Sequence, residues 1–170
     1  MFNIKLYFND TKEIKKVNDK HEYIIQEEDY DGTLSAICTI FHESNRVIFK
    51  VSGFGSDDWG MDCKCDLPCV LEQMDEIVRG IKSKEEFSID FYEQGRECLL
   101  IFQFCETQVL IEYNNIYSKN IDNSILYMDY EVVKQMFFDF YNDFIYCIKK
   151  LVPEVMENQL FNEWKAMCKW

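Results

Sequence analysis

Two prolines and six glycines in 170 residues leave little room for linkers, low-complexity tails or long disordered stretches. Histidine is just as scarce. His21 and His42 stand far apart, so the usual raw material for metal sites and acid–base catalysis at neutral pH is thin. Basic residues are also few, 18 against 31 acidic ones, for a formal net charge of −13. Nucleic-acid phosphate and anionic lipid both call for a basic footprint, so neither is expected as a partner. Such a surface favours a cationic partner and fast, salt-sensitive association, although simple solubility is the plainer account of the same charge. No apolar run approaches the roughly 20 residues of a membrane-spanning helix. The opening MFNIKLYFND lacks the basic-then-apolar layout of a signal peptide, so a cytoplasmic location is expected.

What the chain does have is apolar mass. Hydrophobic residues make up 48% and aromatics 16%, enough for a large core. A chain of this length reads as one domain over residues 1–170, since domains commonly run from about 50 to 250 residues. Eight cysteines are enough for a disulfide framework, but several sit in apolar runs (LSAICTI, FQFCET, FIYCIKK), where a free thiol behaves as a small hydrophobe. Reduced thiols are the expectation.

Phe2, Ile4, Leu6 and Phe8 alternate with polar neighbours and predict a half-buried strand. Weak strands follow over 13–17 and 22–26, then an acidic loop, 27–32. Residues 33–41 and 46–52, separated by His42-Glu43-Ser44-Asn45, read as an antiparallel hairpin. Asp66 and Pro68 open a helix over 66–83, in which Val70, Leu71, Met74, Ile77, Val78 and Ile81 share one face. Strands over 87–92, 98–104 and 107–113 form a meander, and residues 114–126 cross irregularly to the helical layer. Asp129 caps a helix running to Leu151, whose stripe includes Val132, Val133, Phe137, Phe140 and Phe144. After Pro153 a last helix spans 154–167. The predicted fold is α+β: an antiparallel sheet of about six or seven strands, one helix inserted mid-chain, and two C-terminal helices packed on it.

Three constellations bear on chemistry. Cys63, Cys65 and Cys69 form C-x-C-x3-C, which fits no zinc knuckle and lacks a second ligand pair, so no metal or cofactor is assigned. Cysteine catalysis needs an activating base or helix N-terminus. Cys69 lies in a first helical turn, but neither a Gly-rich oxyanion loop nor a neighbouring histidine accompanies it. The third is acidic. Asp57, Asp58, Asp62 and Asp66 surround Trp59, and Glu27, Glu28, Asp29, Tyr30 and Asp31 make a second acidic loop. Acidic loops around a large aromatic compose a binding edge for a basic partner. Against that, Trp59 would equally well fold into the core while the aspartates serve as caps.

The runs W-G-x-D (from Trp59), D-L-P-x-V-L (from Asp66), F-S-I-D-F-Y-E-Q-G-R-E (from Phe87) and F-N-E-W (from Phe161) resemble a pattern of small acidic α+β bacterial proteins. These are the immunity proteins of toxin systems, including contact-dependent inhibition. The resemblance covers roughly residues 59–164 and implies a cytoplasmic inhibitor that binds one cognate toxin domain, often a basic nuclease, without catalysis. The alternatives are an adaptor or structural interaction domain with no toxin partner, and an enzyme using a cysteine or metal site.

Overall fold

A computed structural model of the chain describes residues 1–11, 28–92, 97–115 and 124–170. The expected strands over 13–17 and 22–26 lie outside these. Strand β1 (Asn3–Phe8) buries Ile4 and Leu6, with Phe2 buried just before it, and turns Lys5 and Tyr7 outward, as its alternation requires. It pairs antiparallel with β2 (Val47–Ser52), Ile4 opposite Val51 and Leu6 opposite Phe49.

The segment expected as the first arm of a hairpin is instead helix α1 (Tyr30–Ser44). Residues 33–41 are rich in β-branched side chains, which suggested a strand. Yet Leu34, Ile37, Cys38 and Phe41 fall at i, i+3, i+4 and i+7, and all four are fully buried on one helical face. Asp29 caps the helix by accepting from the Gly32 N–H at 2.8 Å. The acidic loop over 27–32 is therefore corrected: Asp29 is a cap, and Tyr30 and Asp31 begin a helix.

The predicted mid-chain helix is present in two pieces, α2 (Asp66–Glu72) and α3 (Met74–Ser83). Gln73 causes the break. Its side-chain oxygen accepts from the Asp90 N–H (2.9 Å), and its nitrogen donates to the Asp90 carbonyl (3.0 Å) and to Cys69 O (2.5 Å). One amide thus stands in for a neighbouring strand beside β3 (Phe87–Phe91) and covers a ladder edge that would otherwise be open. Gly80 is required where α3 meets β3, because a Cβ there would sit 2.7 Å from the Phe87 ring.

Strands β3, β4 (Cys98–Cys105), β5 (Gln108–Asn115) and β6 (Ser124–Asp129) form a four-stranded antiparallel sheet in that order. Among the described residues the six strands thus divide into sheets of two and four. Strand β6 replaces part of the irregular crossing expected over 114–126. Asp129 then caps α4 (Tyr130–Leu151), accepting from the N–H groups of Glu131 and Val132.

Helix α4 holds the layers together. Phe137 packs on Phe87 and Phe102 of the larger sheet, Phe140 on Phe49 of the smaller, and Phe144 on Phe41 of α1 and Trp164. Val132, expected in this stripe, is exposed instead. The predicted last helix divides into a 3₁₀ turn (Pro153–Glu157) and α5 (Gln159–Met167). From α5, Trp164 donates its indole N–H to the Leu71 carbonyl at 2.9 Å and fastens α5 to α2. Among the described residues no helix is long and apolar enough to cross a membrane.

Candidate functional site: an acidic loop anchored by Trp59

The loop leaving β2 closes on itself. Gly53 N–H donates to Ser56 O (2.8 Å) and Ser56 N–H back to Gly53 O (3.0 Å), while Trp59 N–H reaches Val51 O at 2.9 Å. Gly53, at φ +138°, passes so near Phe2 that an added Cβ would lie 2.9 Å from its Cα. Phe54 follows at φ +51°, a left-handed conformation costly for a bulky residue. Aromatic packing offsets that strain, with the Phe54 ring centroid 5.3 Å from that of Tyr113 and 6.3 Å from Trp59.

Of the two places open to Trp59, a surface contact or the core, it takes the core. It is only 7% exposed, packed among Phe2, Phe91 and Tyr113, with its indole N–H on Gly53 O at 3.2 Å. It anchors the loop from beneath and presents Asp57 and Asp58, which are exposed, at the surface.

The aspartates divide by task. Asp58 accepts from Gly60 N–H at 2.8 Å and lies 3.7 Å from the Lys50 ammonium. Asp62 is half-buried and accepts from the N–H groups of Lys64 (2.6 Å) and Cys65 (2.8 Å), so it closes the turn that leads into α2. Asp66, expected at the N-cap, lies one residue later, in the first turn, and its carboxylate takes the Asp62 N–H at 2.8 Å. Asp62 and Asp66 therefore build the loop, whereas Asp57 and Asp58 face solvent.

In the second acidic segment Glu27 lies outside the described residues. Glu28, Asp29 and Asp31 are exposed and Tyr30 is half-buried. Asp75 of α3 joins this group. Burial first, then the charges of Asp29 and Asp75, push the Asp31 carboxyl above its ordinary range. Tyr30 is pushed up chiefly by Asp31, with burial and Asp75 adding to it. Asp75 had no signal in the sequence as a neighbour of Asp31, because only the packing of the helices brings them together.

The buried cysteines behave as packing. Cys63 donates to Val47 O at 3.6 Å and Cys69 to Cys65 O at 3.4 Å. Burial pushes the thiols of Cys63, Cys147 and Cys168 up to about 12, away from nucleophilic character.

A second acidic feature escaped the sequence reading. Between β1 and α4 runs a groove of about 840 Å³ whose charged lining is Glu131, Asp139 and Asp143 against a single Lys5. Burial, then Asp139, raises the Asp143 carboxyl, and Lys5 opposes the shift. The i, i+4 spacing of Asp139 and Asp143 was its one sequence signal.

No protein-family model, curated protein or solved structure matches this chain.

Proposed function

We propose that the chain is a stoichiometric, non-catalytic inhibitor of the immunity type, which binds one copy of a basic toxin domain and blocks it in the cytoplasm. The observation that carries the reading is the loop at residues 53–62. It is closed by its own hydrogen bonds and anchored by Trp59, and it holds Asp57 and Asp58 ready at the surface. Association with a preorganised loop costs less ordering entropy than association with a mobile one. A net charge of −13 adds long-range attraction for a cationic partner. The motif resemblance from Trp59 onward supports the same class.

The experiment is co-expression with the polypeptide encoded directly upstream of this chain's gene, followed by purification of both. Growth arrest relieved by this chain, together with a 1:1 complex, is the expected result. Arrest that persists at equal expression, with no complex at micromolar concentration, would remove the reading.

A further inference from the structure

The outward rows of the four-stranded sheet have an unusual composition. Alternation sends Phe87, Ile89, Leu100, Phe102, Val109 and Ile111 inward, where they are buried. The opposite face carries Leu99 and Ile101 of β4, Leu110 of β5, and Ile125 and Tyr127 of β6. The register pairs Tyr127 with Leu110 and sets Glu112 between Ile125 and Ile101, so the apolar side chains neighbour one another along the strands and on diagonals, around that one carboxylate. Ile125 is 54% and Tyr127 59% exposed. None of the four strands contains a lysine or arginine. The charges on this face are Asp90 and Glu112, with Asp129 at the end of β6. At its β3 side opens a depression of about 440 Å³ bearing Glu76, Glu85 and Glu86, with Arg79 already 3.6 Å from Glu76.

We propose that this face is the docking surface for a basic protein partner, with Ile125 and Tyr127 at its apolar centre and cationic side chains of the partner seated in the glutamate-bearing depression. An apolar strip of this kind marks an interaction site. Charge selects the occupant: a second copy at −13 would repel, while a cationic chain would be drawn in. The proposal rests on the reading of the chain as a binder of a basic toxin domain and moves the main contact from the acidic loops to the sheet.

The test uses no toxin, so the two fail separately. A nonapeptide of alternating lysine and leucine is titrated into the isotopically labelled protein and followed by amide chemical shifts. Lysine–serine and glutamate–leucine peptides serve as controls. Shifts centred on residues 99–101, 110 and 125–127 for the lysine–leucine peptide alone are expected, weakened at least tenfold in Ile125→Ser/Tyr127→Ser. Both positions are exposed, and circular dichroism checks that the variant remains folded. Shifts centred on residues 57–62 or on the α4 groove overturn the proposal. So do equal binding of the glutamate–leucine peptide, an absence of shifts, and concentration-dependent dimerisation abolished by the double variant.

Discussion

Strands β1 and β2 turn Lys5, Lys50 and the cross-strand pair Tyr7 and Ile48 outward, while the outward rows of β3 to β6 hold Leu99, Ile101, Leu110, Ile125 and Tyr127 and no basic residue. Lys5 and Lys50 are cross-strand partners, a like-charge pairing that would destabilise the smaller sheet on its own. Each has a carboxylate to offset it: Asp58 lies 3.7 Å from Lys50, and Asp143 feels the charge of Lys5. Both sheets bury their inner faces through α4, so the difference lies outside the core. A face centred on a balanced lysine pair is suited to water, and one with an apolar centre and no basic residue is suited to being covered.

The largest effects test whether α4 joins the two sheets into one unit. Phe137→Ala, on the larger sheet, and Phe140→Ala, on the smaller, should each cost about 3–5 kcal/mol. Urea unfolding followed by far- and near-ultraviolet circular dichroism should show one coincident transition in both. Separate transitions would mean that the sheets are independent. Trp59→Ala should cost about 3 kcal/mol, since it removes a nearly buried aromatic, and limited proteolysis should then cut first within residues 53–62. Native-like resistance there would mean that Trp59 does not hold the loop.

Next comes the β3 edge. Gln73→Leu strips the partners from the Asp90 N–H and carbonyl and should cost about 1–3 kcal/mol, with the exchange protection of the Asp90 amide lost first. A smaller effect concerns the groove beside the smaller sheet. Asp143 has a raised native pKa, so its charged form is disfavoured on folding. It therefore subtracts from stability at neutral pH, and the penalty fades as pH falls through the native value toward the ordinary 3.8. Asp143→Asn should raise the urea midpoint at pH 7, by less than about 0.5 kcal/mol, and leave it unchanged at pH 3. A gain that persists at pH 3 would show another cause. Iodoacetamide at pH 8 should modify exposed Cys105 well before Cys63, Cys147 or Cys168.

Much of the α+β layout was legible in the sequence: the alternation in β1, β2 and the meander, the Asp129 cap and the α4 stripe. Helix α1 was hidden because β-branched residues at 33, 37, 39 and 40 outweighed an i, i+3, i+4, i+7 face that was present all along. Strand β6 was hidden for a different reason. Leu126 and Met128 face inward, but Ile125 and Tyr127 are apolar too, so the strand shows no polar alternation. The feature that concealed it is the one that marks its outer face as a docking surface. In the acidic loop the residue types were readable, but their division of labour was not. Nothing local tells Asp62, which bonds two backbone N–H groups, from Asp57, which faces solvent. Gln73 was equally silent, because its partner Asp90 lies 17 residues away and meets it only in the fold.

Charged loops act mainly on association rates and apolar contact centres on dissociation. The decisive measurement is stopped-flow binding of the purified upstream-encoded partner to the native chain, Asp57→Asn/Asp58→Asn and Ile125→Ser/Tyr127→Ser over a range of salt concentrations. The account predicts that the loop variant slows association and flattens its salt dependence, while the sheet variant speeds dissociation at least tenfold. Association indifferent to salt, together with dissociation unchanged by the sheet variant, would contradict it.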